Sequence, residues 1–238
     1  MSYSNHLTTK QNNNWLVPLL LLALGCPNVL FGASQLDTIQ QGPPAVPDEF
    51  TTMQYFATPI PIVLHIVAGI IFNLLCPFQF ASTLRERWPA WHRWSGRLLI
   101  IAGVLAGLTG LWMNHFFPQY GGFLKYPGIV VNSVGILVSL GLALRVILAG
   151  KVPRHRVWMM RAVAFGLGPA TQRLFILPYF FIVGMPNDLV IGLVIWLGFL
   201  LNLSVVEWVL LRERRKNLIE GSGQLKTNLV NINLKEAL

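Results

Sequence analysis

Six separated apolar runs, at 15–31, 59–80, 98–117, 128–148, 162–183 and 189–211, constrain this chain more than any other feature in it. All but the first come near the roughly 20 residues that a helix needs to cross a bilayer core. Lipid offers no partner to a bare peptide group, so runs of this kind fold as helices. Charged residues are only 11% of the 238, against roughly 25% in a soluble domain. The expectation is therefore an all-α, polytopic transmembrane helix bundle with six spans.

The first run is short and carries Pro18, Gly25 and Pro27. It reads either as a first membrane helix or as a signal peptide cleaved near Gly32-Ala33-Ser34. Residues 1–14, rich in Asn, Gln and Thr, read as a disordered N-terminus. Residues 32–58 read as an aqueous segment containing Asp37, Asp48 and Glu49. Residues 59–211 then form a five-helix membrane domain. Residues 212–238 form a cytoplasmic tail with a flexible joint at Gly221-Ser222-Gly223.

Positive charge is not spread evenly. The formal net charge is +9, from 18 Lys and Arg against 9 Asp and Glu. The 81–97 connection holds Arg85, Arg87, Arg93 and Arg97, and 149–161 holds Lys151, Arg154, Arg156 and Arg161. The tail opens on Arg212-Glu213-Arg214-Arg215-Lys216, whereas 118–127 has only Lys125 and 184–188 only Asp188. Positive-inside counting places 81–97, 149–161 and both termini in the cytoplasm of a bacterial inner membrane. The same distribution argues against nucleic acid as a partner, since no basic, aromatic-interleaved soluble domain is present.

The two cationic connections echo each other. Trp91-His92-Arg93-Trp94-Ser95-Gly96-Arg97 and Arg154-His155-Arg156-Val157-Trp158-Met159-Met160-Arg161 each stand at the mouth of an apolar run. Two imidazoles at one level, His92 and His155, could ligate one haem b iron, with arginines pairing its propionates. A quinone headgroup or an anionic lipid-like molecule suits the same residues. Interfacial anchoring by Trp and Arg is the structural reading.

Two polar residues lie deeper. Arg173 is about 17 Å into its run and His65 about 9 Å into its own, at 1.5 Å per residue. A charge at that depth needs a partner or a polar cavity. Arg173 either binds an anionic or carbonyl group of a ligand or is held by carbonyls freed at Pro169 and Pro178. His65 is either a ligand group or a hydrogen-bonded packing residue, and it lies too far from His92 and His155 to share an iron with them. Glu207 is expected to neutralise Arg156 or Arg161. No GxSxG elbow, HExxH, P-loop or GxGxxG occurs, so no hydrolase or nucleotide-driven pump is visible.

From Leu64-His65 to Arg173 the chain resembles a bacterial family of multi-pass membrane proteins known only as domain of unknown function 2306. The resemblance rests on Pro77-Phe78-Gln79-Phe80 after the His65 helix, on His92-Arg93-x-x-Gly96-Arg97, on His155-Arg156-x-Trp158-Met159-x-Arg161, and on Arg173. It implies that His65, Gln79, His92, Arg97, His155, Arg161 and Arg173 are the family's characteristic polar positions. It implies no activity. The leading expectation is a membrane-embedded binding or redox protein. Its collar (His92, Arg93, Arg97, His155, Arg156, Arg161) would hold an amphipathic cofactor or anion. A small-solute transporter using Arg173 and His65 and a non-catalytic assembly partner are the rivals.

Overall fold

The computed structural model describes residues 15–45, 53–117 and 121–236, with 223–236 as backbone only. The expected disordered segment 1–14, together with Asp48 and Glu49, lies outside the described residues. Every element among the described residues is a helix: α1 (Leu16–Gln41), α2 (Gln54–Ala57), α3 (Pro59–Gln79), α4 (Ser82–Arg87), α5 (Pro89–Phe116), α6 (Gly122–Leu148), α7 (Val152–Gly166), α8 (Gly168–Val183) and α9 (Asp188–Glu236). Helices α1, α3, α5, α6 and the Asp188–Ser222 part of α9 are long and apolar enough to cross a membrane.

The run 162–183, expected as one span, is divided at Leu167 (φ −88°, ψ 0°) into the end of α7 and α8. Pro169 is the cause: it has no N–H to give Phe165, and its ring crowds the preceding turn. The interruption is local, because Leu167 N–H still bonds to Val163 O at 2.9 Å and Thr171 N–H to Leu167 O at 3.0 Å.

Two other boundaries differ from expectation. Helix α1 runs ten residues past the apolar stretch, into the segment expected to be aqueous, and stops at Gly42, whose φ of 91° suits glycine. Helix α9 continues through Gly221-Ser222-Gly223 instead of breaking there. Glycine costs only about 1 kcal/mol per helical position, and the Lys216–Glu220 pair at 3.8 Å supports the turn just before the joint.

The chain forms two compact units, Met1–Pro118 and Gln119–Leu238. In the first, α3 packs against both α1 and α5. The buried residues of α1 are Pro18, Gly25 and Gly32, spaced by seven, so one seam of small residues faces α3. A Cβ on Gly25 would lie 3.0 Å from Asn73 Oδ1, and one on Gly32 would lie 3.0 Å from Ile66. In the second unit α6 packs on α7 and α9, and α8 packs on α9. Its close approaches are also glycines: Gly128 lies under Ile195 and Trp196, and Gly198 under Gln172.

Candidate functional site

The first collar opens α5. Pro89 starts that helix at a position where its missing N–H costs nothing. Ser95, wholly buried, donates its hydroxyl to Trp91 O at 2.7 Å and accepts Nε2–H of Gln79 from α3 at 2.7 Å. Gly96 leaves room for that amide: a Cβ there would lie 3.4 Å from Gln79 Oε1. Gln79 is thus a tie between α3 and α5. Trp91 meets Phe78 edge-on at 6.1 Å and closes the same corner. His92 is half-buried, with its Nδ1 atom inside. Arg93 and Arg97, four residues apart on one helix face, point outward. Neither makes a hydrogen bond or ion pair among the described residues. Trp94 (61% exposed) lies between them in sequence, and Trp88 (57% exposed) precedes the helix.

The second collar opens α7 and is wired differently. Arg156 grips Glu213 of α9 through both terminal nitrogens, at 2.7 and 2.8 Å. That bond raises the pKa of the guanidinium further above its ordinary value. Arg161 grips Glu207 of α9 at 2.6 and 3.1 Å and lies 4.6 Å over the Trp158 ring. Glu207 therefore neutralises Arg161, one of the two partners expected for it. The Glu213 partnership was not visible in a sequence where Glu213 sits among four basic tail residues. His155 is fixed by Nδ1 to Ala143 O at 2.9 Å. A carbonyl only accepts, so Nδ1 carries the proton and Nε2 keeps its lone pair while the ring is neutral.

The deeper pair is tied to backbone. His65 Nδ1 lies 3.0 Å from Ala106 O and 3.1 Å from Thr109 Oγ1 of α5. Thr109 donates its own hydroxyl to Leu105 O at 2.6 Å, so His65 is the donor to both oxygens. Arg173 donates from NH1 to Pro169 O at 2.9 Å, one turn back on α8. His65 and Gln79 are about 21 Å apart along α3, and Arg161 and Arg173 about 18 Å apart in sequence rise. The deep residues and the collars are thus separate places within each unit.

Sequence reasoning missed Asn202. From α9 it donates Nδ2–H to Ala164 O at 3.1 Å and accepts the Thr171 hydroxyl at 2.8 Å. It clasps both sides of the Leu167 interruption. The signal was present, as a carboxamide in the middle of the apolar run 189–211. Lys125, 7% exposed near the start of α6, was also passed over as a loop charge. Next to it, Gly121 N–H bonds to Asp188 Oδ1 at 2.9 Å, and the left-handed φ of Gly121 (85°) permits that close start.

Residues 62–210 match the family model described as "Predicted membrane protein (DUF2306)". No curated protein and no solved structure matches the chain. The chain belongs to this family of membrane proteins of unknown function, and α1 precedes the matched region.

Proposed function

We propose that this family member crosses a bacterial inner membrane six times with both termini in the cytoplasm, and that its 81–97 collar binds an anionic, lipid-like head group. Helices α7 and α8 together serve as the span that the apolar run 162–183 implies, and the loop charges give the orientation. The observation that carries the ligand reading is the exposed Arg93/Arg97 pair, which has no acidic partner among the described residues and stands beside two exposed tryptophans. Guanidinium forks recognise phosphate or carboxylate oxygens in paired geometry, and tryptophan rests at head-group level. Arg156 and Arg161, expected to share this role, already hold carboxylates, so the first collar is the better anion site. His65 and Arg173, each bonded to a backbone carbonyl, favour packing over cargo binding.

The test is native mass spectrometry of the protein from nanodiscs of mixed phosphatidylcholine and phosphatidylglycerol. Phosphatidylglycerol retained by the wild type and lost in Arg93→Gln/Arg97→Gln supports the reading; equal retention in the variant removes it.

A second reading has its own observation. The Nδ1 bond of His155 to Ala143 O is the kind of tie that orients a metal-ligating imidazole. If haem b is bound, His155 is an axial ligand, and electron transfer is the chemistry. An oxidised-minus-reduced absorption spectrum of haem-supplied protein, repeated for His155→Ala, decides it. A Soret band lost in the variant supports haem, and colourless protein in good yield removes it.

A further inference from the structure

The second unit carries a groove of about 510 Å³ on its own helices, separate from the collar arginines proposed for anions. One wall is α6, through Val130, Val134 and Val138. These valines recur at the spacing that keeps them on one helix face. The floor is the Phe165 ring, which lies over Gly135 so closely that a Cβ there would come within 2.5 Å of it. Beside Ser139 and Trp158 stands the Arg161–Glu207 pair.

Three features of the groove select an occupant. Val134 and Val138 are 44% and 51% exposed, so the wall is open to an apolar chain. The ion pair is net neutral, and the half-open Glu207 carboxylate repels an anionic head group. Finally, Glu207 lies four residues inside the end of the apolar run 189–211, about 6 Å below the polar boundary. Desolvating a charged phosphate at that depth is costly, whereas an uncharged ring loses little by leaving water. Arg161 uses Nε and NH2 on Glu207, which leaves others of its five N–H donors open to a carbonyl.

We propose that this groove binds a prenylated quinone. Its ring carbonyl accepts a hydrogen bond from Arg161 beside Trp158, and its chain lies along Val138, Val134 and Val130. The run from Ser139 to Val130 is about 14 Å of helix, directed from the middle of the 128–148 span away from its collar end. The inference does not depend on anion binding at the first collar, and either can fail alone.

The experiment uses the full-length protein in phosphatidylcholine nanodiscs and a photoreactive azido-ubiquinone, with labelled peptides mapped by mass spectrometry. The expected result is saturable labelling within 130–138 and at Trp158. It is displaced by a one-isoprene ubiquinone but not by equal dodecanol. Val134→Trp, which fills the groove, and the charge-neutral Arg161→Met/Glu207→Met should each weaken labelling about tenfold or more, as expected for a lost bond to a charged donor. Val138→Trp replaces Val134→Trp if thermal melting shows that the latter does not fold. Labelling spread evenly over the lipid-facing helices, unchanged by the groove-filling tryptophan, or displaced equally by dodecanol would overturn the proposal. Those results would leave an ordinary lipid-filled crease.

Discussion

In the first unit Arg93 and Arg97 stand exposed with no acidic partner among the described residues, while Gln79 and Ser95 hold the helix pair together beneath. In the second unit the corresponding His-Arg element gives its arginines to Glu213 and Glu207, and the third helix, α9, is tied in through them. The same short motif thus joins helices by a neutral hydrogen bond in one place and by ion pairs in the other. A cation already held by a carboxylate has little charge left to offer a ligand, so repeated sequence does not mean repeated function. What decides the difference is whether a neighbouring helix supplies an acid at the right level.

The comparison can be broken at the second collar most forcefully. Removing Glu207 (Glu207→Ala) leaves a partly buried guanidinium unpaired. It should cost roughly 1–3 kcal/mol, below the range for fully buried pairs because both side chains keep some exposure. Arg161→Met/Glu207→Met should recover most of that loss, as read by thermal unfolding in detergent. Asn202→Leu removes the clasp across the Leu167 interruption and leaves the Ala164 carbonyl without it. A loss of about 1–3 kcal/mol is expected, with faster hydrogen exchange at 164–171. In the first unit Gln79→Ala should cost about 1 kcal/mol through its bond to buried Ser95. If Gln79→Ala proved costlier than Glu207→Ala, the assignment of neutral and ionic ties would be inverted. Smallest is Glu213→Gln: its pair with Arg156 is about half exposed, and a change under roughly 0.5–1 kcal/mol is expected, shrinking further in high salt.

Much of the fold was legible because membrane spans are written in composition. The runs at 59–80, 98–117, 128–148 and 189–211 each lie largely within one long helix. Less legible were the places where tertiary partners override local signals. Pro169 announced a bend, but nothing local said that Asn202, thirty-one residues later in the Thr171 bond, would clasp it. Gly25 and Pro27 read as interruptions of a weak first span. In the structure Gly25 is instead a close-approach point against Asn73, and α1 continues to Gln41. At the collars, sequence identified Arg93, Arg97, Arg156 and Arg161 as a set. It could not divide them, because the division depends on the carboxylates that α9 brings alongside α7.

That division is the central claim, and arginine reactivity tests it most directly. Full-length protein in phosphatidylcholine nanodiscs would be treated with phenylglyoxal, and modification at each arginine followed by mass spectrometry over time, with and without phosphatidylglycerol. The account predicts rapid modification of Arg93 and Arg97, slow modification of Arg156 and slower still of Arg161, and protection of Arg93 and Arg97 alone by the anionic lipid. Equal rates at the two collars, or lipid protection centred on Arg156 and Arg161, would contradict it.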